Sequence, residues 1–179
     1  LRFGIEAALD SKSIEKKNTY LTRMDNELTR MEEMTSVFLD YASMERQGLN
    51  LKKKQTNLSD LITSAINDCQ VLAEHKNINI VLDTPETISY PLDYHWCYRA
   101  LVNLISNAIG YADSKILLTI HNSSSQITIT IEDDGKGIAD DKLAIIFTPF
   151  VKLDADRSRE QGHFGLGLAI CSKVMDWHH

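Results

Sequence analysis

The spacing of apolar residues changes along this chain, and the change limits the fold more than any other feature of the sequence. From Leu21 to Ala42, apolar side chains recur every three or four positions with charged residues between them. This spacing predicts one long helix with a single packing stripe, either an element of a coiled coil or four-helix bundle or an ordinary surface helix. Further along, the period becomes two in three segments, which predicts strands: 78–82, 115–121 and 126–133.

The residues between these periodic segments predict the order of elements. Gly48 is expected to end the long helix, because glycine tolerates the left-handed conformation found at helix ends. Asn57 is expected to cap a helix that runs to about His75. An Asn/Ser turn between the last two strands predicts a hairpin. Further helices are predicted over residues 93–110, 140–147 and 165–177. This order predicts an α+β sandwich, with helices on one face of a mixed sheet.

Composition narrows the class of protein. The chain has 179 residues, 43% of them hydrophobic, which is enough to bury one core and a smaller appended element. A formal net charge of −6 argues against nucleic acid or an anionic membrane as the main partner. Cys69, Cys97 and Cys171 include no C-x-x-C pair, which indicates reduced thiols rather than disulfides or a zinc site.

No run approaches the roughly 20 apolar residues of a membrane span. The chain begins at Leu1, so we expect a fragment, with any membrane anchor upstream.

Two asparagines stand out on the helix predicted over residues 93–110. Asn103 and Asn107 are four positions apart, so both face the same side of that helix. An asparagine can ligate Mg²⁺ through its carbonyl oxygen while its amide donates to a phosphate. Taken alone, this spacing more often marks a solvent-exposed helix edge.

Two glycine-containing segments also have the chemistry of a binding site. Segment 133–138 (DDGKGI) follows the second hairpin strand, where a fixed carboxylate can accept a hydrogen bond from the amine of a purine. A turn or a cation loop is the alternative, although the oxygen pattern of an EF-hand is missing. Segment 162–170 (GHFGLGLAI) leads into a helix, whose N-terminus offers free N–H groups to a phosphate. A dinucleotide fingerprint is excluded there, because no strand precedes it.

The order of four motifs resembles that of the N, G1, F and G2 boxes of bacterial sensor histidine kinases. The motifs are NLISNA at 103–108, DDGKGI at 133–138, FTPF at 147–150 and GLGLAI at 165–170. These kinases belong to the wider ATPase family of gyrase, heat-shock-90 chaperones and mismatch-repair ATPases. The resemblance implies a two-layer α/β sandwich of the histidine kinase, gyrase and Hsp90 type, preceded by a long helix of a helical-hairpin dimerisation domain.

The resemblance also implies domain boundaries. Residues 1–48 would be part of the dimerisation and histidine-phosphotransfer hairpin, with the end of its first helix and its second helix. Residues 49–57 would be a linker. Residues 58–179 would form the catalytic ATP-binding domain without its last strands.

Roles for individual residues follow from the same resemblance, with ATP and Mg²⁺ as the implied cofactors. Asn107 would ligate Mg²⁺, and Asn103 would support the metal and the phosphates as a catalytic residue. Arg157 would reach toward the phosphates from a mobile lid, also as a catalytic residue. Asp133 would hold the adenine amine. The other residues expected around the nucleotide are Tyr111, Gly135, Gly137, Ile138, Phe147, Phe150, Lys152, Gly165, Leu166 and Gly167.

The implied function is that of a two-component sensor kinase, a homodimer that phosphorylates a histidine and then an aspartate of a response regulator. No histidine here has the H-E-x-x-x-P context of a phosphoacceptor, so this chain alone is predicted not to phosphorylate itself. The implied location is the cytoplasmic portion of a bacterial inner-membrane protein, attached to the membrane only through upstream segments, with no nucleic-acid partner.

Departures from the motif pattern leave two alternatives open. Gly110 replaces a cation that often contacts phosphate, and His163 replaces a common glycine. These changes motivate the first alternative, a non-catalytic module that dimerises and docks a regulator. An ATP-hydrolysing relative is the other alternative. It is less favoured because Asn103 occupies the position of a glutamate that activates water, and an asparagine cannot act as a base.

Overall fold

The computed structural model describes residues 13–46, 51–84, 88–123, 126–153 and 165–178. The chain divides into two compact units, one ending at Arg46 and the next beginning at Gln47. The first contains helix α1 (Ile14–Arg46). The second contains β1 (Lys54–Asn57), α2 (Leu58–Lys76), β2 (Asn79–Asp83), β3 (Ser89–Leu92), α3 (Tyr94–Tyr111), β4 (Lys115–Asn122), β5 (Ile127–Asp133), α4 (Asp140–Leu143) and α5 (Gly167–His178).

Helix α1 is longer than the apolar stripe that predicted it. It begins at Ile14, where Ser13 accepts hydrogen bonds from the amides of Lys16 and Lys17 at 3.4 and 3.0 Å. Several apolar residues of the stripe are about half exposed: Leu21, Leu28, Met31 and Phe38. The predicted end at Gly48 and the predicted preceding helix lie outside the described residues. None of the helices in the described ranges is both long enough and apolar enough to cross a membrane.

A three-stranded mixed sheet forms one layer of the second unit. Strand β4 lies in the middle, parallel to β2 and antiparallel to β5, so the predicted hairpin is confirmed. Ile116, Leu118 and Ile120 alternate along β4 and are almost completely buried. Helices α2 and α3 contact β2 and β5, and α3 packs between α2 and α5. The predicted α+β sandwich is therefore confirmed. Strands β1 and β3 form a separate antiparallel pair, and β1 falls in the segment expected to be a linker.

Side-chain caps define where the two long helices of this unit begin. The Asn57 side chain accepts a 3.0 Å hydrogen bond from the amide of Ser59, as the capping prediction required. At the other end of α2, Asn77 adopts the left-handed conformation and its amide bonds to carbonyls of the last turn. Asp93 caps α3 by accepting from the amide of Trp96 at 3.4 Å. The predicted bounds of both helices agree with the structure to within one or two residues.

A polar cluster joins the start of α3 to the end of α5. Asp93, only 7% exposed, accepts from the amide of Lys52 at 2.8 Å, and its own amide donates to His178 Nε2 at 3.0 Å. His178 Nδ1 lies 2.8 Å from the carbonyl of Val174, to which it can donate while Nε2 accepts from the Asp93 amide. The Sγ atom of Cys97 is 3.5 Å from His178 Nε2, and burial raises the pKa of this thiol to about 12. The cluster fixes the C-terminal end of α5 against α3.

Two helix boundaries in the C-terminal part differ from the sequence prediction. Helix α4 ends at Leu143 instead of 147 and continues as turns, and Ala139 at its N-cap provides no side-chain acceptor. The last helix begins at Gly167 instead of 165, because Gly165 has a left-handed φ of +74° that a helix cannot contain. Both errors lie in segments where glycine, proline and short apolar runs give no clear period.

Candidate nucleotide-binding site

One face of α3 forms the first part of the candidate site. Asn103, Asn107 and Tyr111 are spaced four residues apart, so they lie one above another on this face. All three are half-buried. The face is bordered by the start of α5 near Asn103 and by the loop after β5 near Tyr111.

The amide of Asn103 is the most informative group on this face. Its Nδ2 atom is buried, and it has no hydrogen-bond partner among the described residues. A buried donor without an acceptor costs about 1–3 kcal/mol, so such groups usually mark a place for water or a ligand. Gly167 lies directly against this side chain, since a Cβ there would be 3.5 Å from the Asn103 Cγ.

Helix α5 adds free backbone donors beside Asn103. Its first helical hydrogen bond runs from the amide of Ile170 to the carbonyl of Leu166 at 2.9 Å. The amides of Gly167, Leu168 and Ala169 therefore have no acceptor within the helix, and they lie at its positive end. The Leu166 side chain is only 1% exposed and belongs to the core, so its contribution to a ligand site is limited to its backbone. Together with Asn103, these donors suit an anion such as a phosphate.

The loop after β5 forms the opposite side of the site. Asp133 is exposed at the end of the strand, and its Oδ1 atom accepts from the amide of Gly135 at 3.0 Å. Gly135 packs so closely on the end of α3 that an added Cβ would overlap the carbonyl of Tyr111. Gly137 and Ile138 follow in exposed positions, and Gly137 has a φ of +70°. Glycine at 135 is thus needed for a backbone contact within the protein, whatever ligand lies nearby.

Asp134 has a role that the sequence analysis missed. Its carboxylate accepts from the amide of Asp113 at 2.9 Å, from the amide and hydroxyl of Ser114 at 2.9 and 2.6 Å, and from the amide of Lys115 at 3.0 Å. The Ser114 hydroxyl, with the backbone amides, holds the pKa of the Asp134 carboxyl well below its usual range. The only local signal was the Asp-Asp pair itself, since the partners lie about 20 residues earlier.

A backbone contact brings the predicted F and G2 boxes together. The amide of Phe150 donates to the carbonyl of Gly165 at 2.8 Å, and a Cβ on Gly165 would be 2.8 Å from the carbonyl oxygen of Val151. Phe150 has a φ of +65°, unusual for a bulky residue, and its side chain is 59% exposed. Phe147 is also about half exposed. The two ends of the segment between 150 and 165 are therefore fixed side by side.

The remaining predicted residues are less well placed by the structure. Lys152 is exposed just after the F box. Arg157, His163 and the rest of residues 154–164 lie outside the described ranges, so the predicted lid contacts remain predictions. Gly110 lies in the last turn of α3, half-buried between Asn107 and Tyr111.

Comparison with known proteins agrees with this geometry. The family described as "Histidine kinase-, DNA gyrase B-, and HSP90-like ATPase" matches residues 92–179. The sensor histidine kinase CpxA of Escherichia coli strain K12 is 30% identical over 174 residues, which cover 96% of this chain and 37% of CpxA. The sensor protein RstB of the same strain is 29% identical over 174 residues, covering 97% of this chain and 39% of RstB.

A solved structure supports the fold over nearly the whole chain. The histidine kinase AdeS of Acinetobacter baumannii has a TM-score of 0.69 with this chain at 20% identity, covering 98% of this chain and 81% of the AdeS chain. At that identity the likeness shows the shared fold alone. The chain spans about two fifths of the length of the curated relatives described above. Its segment 92–179, which holds all four motifs, matches the model of the histidine kinase-, DNA gyrase B- and HSP90-like ATPase family, and the chain is similar to part of bacterial sensor histidine kinases.

Proposed function

We propose that this chain is the ATP-binding catalytic region of a two-component sensor histidine kinase. The intact dimer would transfer the γ-phosphoryl group of ATP to a histidine and then to an aspartate of a response regulator. The observation that carries the proposal is the buried Asn103 amide, which lacks a partner among the described residues and faces the first turn of α5. A phosphate would supply the acceptor that this amide and the helix N-terminus lack.

The base and the phosphates would bind at opposite sides of the α3 face. Asp133 would accept a hydrogen bond from the adenine amine, with Tyr111, Gly135, Gly137 and Ile138 around the base. The phosphates would lie toward Asn103 and the amides of α5 that follow Gly165 and Leu166. Phe147, Phe150 and Lys152 would lie at the start of the segment that covers them, and Arg157 would reach toward the phosphates from within it.

Within this arrangement the protein supplies mainly positioning and charge stabilisation. In the transfer step, a P–N bond to the acceptor histidine forms while the bond from the γ-phosphorus to the bridging oxygen breaks, and ADP leaves. Asn107 would contribute its carbonyl oxygen to Mg²⁺, and Mg²⁺, when bound, neutralises charge on the phosphate oxygens. Asn103 cannot act as a base toward water, so the site would keep ATP intact until the histidine arrives.

The first unit supports a dimer as part of this proposal. Helix α1 exposes Leu21, Leu28, Met31 and Phe38, whose spacing places them on one side of the helix. An apolar stripe of this type is covered by a partner helix in a bundle. Residues 1–48 would then be the later part of the phosphotransfer hairpin, and residues 58–179 the catalytic domain. A response regulator is the proposed partner; one structure of a similar histidine kinase, ThkA, is described as a complex with the response regulator TrrA.

Nucleotide titration of the chain tests the binding part of the proposal. Calorimetry with ATP and Mg²⁺ should show one site, and Asp133→Ala should weaken it by about 10- to 100-fold, since a hydrogen bond to a charged group contributes about 1.5–3 kcal/mol. Asp176→Ala, an exposed acidic residue of α5, provides the matched control and should bind like the parent chain. Equal affinity for ATP in the Asp133 variant would contradict the assignment of the base side.

A second experiment tests the kinase part. The protein with its upstream residues restored is incubated with ATP labelled at the γ-phosphate, and acid-labile phosphohistidine is measured. ATP binding without any phosphohistidine would favour the non-catalytic module, for which Gly110 is the supporting observation, because it removes a cation from the phosphate side. Steady release of phosphate that requires Asn103 would favour an ATP-hydrolysing enzyme instead.

A further inference from the structure

Asp134 is a solvent-exposed carboxylate with an unusually complete set of partners. Five hydrogen bonds of 2.6–3.1 Å reach its two oxygens from three consecutive residues, 113–115. Its own amide donates back to the carbonyl of Lys115 at 3.2 Å. Most exposed carboxylates hydrogen-bond mainly to water. Because this one accepts hydrogen bonds from several protein donors, it fixes the segment around Asp134 to residues 113–115.

The two segments are the ones that carry the base side of the site. Residues 113–115 connect the end of α3 to the start of β4, only two residues after Tyr111. Asp134 itself lies between Asp133 and Gly135, and Gly135 packs on the Tyr111 carbonyl. The carboxylate therefore ties the end of α3 to the backbone on either side of Asp133.

We propose that Asp134 is a positioning residue for base recognition, which acts through Asp133 and does not touch the nucleotide. This inference rests on the proposed function, since it assumes that Asp133 binds the adenine amine. Asp133 Oδ1 is held by the amide of Gly135 at 3.0 Å. Because Asp134 fixes the backbone before that amide, it fixes the plane of the Asp133 carboxylate and the direction of its second oxygen.

The chemistry of the contact favours a carboxylate over an amide. All of the groups that face Asp134 are donors: three backbone amides and one hydroxyl, which could also reverse its role. Asp134→Asn can keep the oxygen that accepts from the three amides, and it places an NH₂ at the Oδ2 position, where it faces the Ser114 amide at 3.1 Å and a hydroxyl that has to reverse its role. Asp134→Asn therefore breaks part of the cluster with almost no change in side-chain size. Ser114→Ala removes one hydroxyl donor and leaves the backbone donors in place.

The ratio of affinities for ATP and inosine triphosphate tests this inference. Inosine triphosphate has an oxygen where adenine has its amine, so it cannot donate from that position to Asp133, while its phosphates are the same. The parent chain should prefer ATP by about 10- to 100-fold. Asp134→Asn should reduce that preference several-fold, chiefly by weakening ATP binding, and Ser114→Ala should reduce it less. A residue needed only for folding would lower both affinities together.

Three control measurements separate the possible failures. Asp140→Asn, another exposed aspartate, should leave the ratio unchanged. If Asp133→Ala also leaves the ratio unchanged, the proposed base site is wrong, and the inference about Asp134 fails with it. If Asp133→Ala abolishes the preference while Asp134→Asn and Ser114→Ala retain it, only the inference fails. Thermal unfolding of each variant identifies loss of fold; if Asp134→Asn does not fold, Ser114→Ala alone decides, and an unchanged ratio there overturns the inference.

Discussion

The two sides of the candidate site, the proposed base side and the proposed phosphate side, differ in how their polar groups are satisfied. On the base side, the loop 133–138 is held by hydrogen bonds from within the protein, to Asp134 from residues 113–115 and to Asp133 from Gly135. On the phosphate side, Asn103 has a buried amide without a partner among the described residues, and the first amides of α5 have no helical acceptor. The proposed base side is thus preorganised, whereas the proposed phosphate side keeps donors that have no acceptor among the described residues.

Because of this difference, the two sides should affect ligand binding and protein stability in different ways. A preorganised side loses little conformational freedom when a ligand binds, so it favours specificity for the base. An unsatisfied side lowers the stability of the free protein and regains that energy when an anion supplies acceptors. A substitution that removes a hydrogen-bonded or closely packed group on the base side should therefore lower stability. A substitution that removes the unpaired donor on the phosphate side should raise stability and lower nucleotide affinity.

The largest expected effect is on the base side, from Gly135→Ala. The new Cβ would overlap the Tyr111 carbonyl, so the end of α3 or the loop has to move. We expect a loss of about 3 kcal/mol or more in the free energy of unfolding, at the upper end for overpacking. Urea unfolding provides the measurement.

Gly137→Ala is the matched control for this substitution. Gly137 has a positive φ but no atoms within 4 Å of an added Cβ, so its cost should be only the conformational one of about 1–2 kcal/mol. Equal losses for the two variants would mean that close packing on Tyr111 is not what requires glycine at position 135.

The next effect concerns how α5 is held for the phosphate side. His178→Ala leaves the amide of Asp93 without its acceptor at the far end of α5. We expect unfolding to become easier by about 1–3 kcal/mol. The exposed His75→Ala should change stability by no more than a few tenths of a kcal/mol. If His178→Ala were as stable as the parent chain, the cluster at Asp93 would not be what fixes α5.

A smaller effect of opposite sign is expected on the phosphate side itself. Asn103→Leu removes the unpaired amide and replaces it with an apolar side chain, so the nucleotide-free protein should become more stable by about 1 kcal/mol. Nucleotide affinity should fall by about tenfold or more at the same time. Unfolding in urea with and without ATP measures both. A variant that is destabilised without nucleotide would show that the Asn103 amide is already satisfied.

The smallest expected effect is a pH dependence on the base side. The folded-state pKa of Asp134 lies below its unfolded value, so its contribution to stability is fully present above about pH 4 and is lost as pH falls through the lower, folded-state value. The stability difference between the parent chain and Asp134→Asn should therefore shrink as the pH falls below about 4. Unfolding experiments across the acid range measure this, and a difference that grows toward low pH would contradict the sign.

Most of the fold followed from local sequence signals, because the signals and their causes are a few residues apart. The Asn57 cap, the bounds of α2 and α3, and the β4–β5 hairpin needed only periodicity and turn residues. The end of α4 could not be predicted in this way, since residues 140–148 have neither a clear period nor a strong stop signal.

The contacts within the candidate site were even less predictable from local sequence signals. The four motifs identified Asn103, Asp133 and Gly167 as candidates, but their spacing gave no sign that Gly167 would lie against Asn103. Likewise, the role of Asp134 depends on a turn about 20 residues earlier in the chain. Contacts of this kind arise from tertiary packing, which leaves no period in a single sequence.

The hydrogen bond between Phe150 and Gly165 has a consequence for how this site can change over time. It joins the last residue of the F box to the residue two positions before α5, so the start of α5 is held whatever the number of residues between 150 and 165. The entropy of closing a loop grows slowly with its length, by about 0.6 kcal/mol for each doubling. A change in the number or kind of residues between these two positions should therefore cost little stability and leave the start of α5 in place.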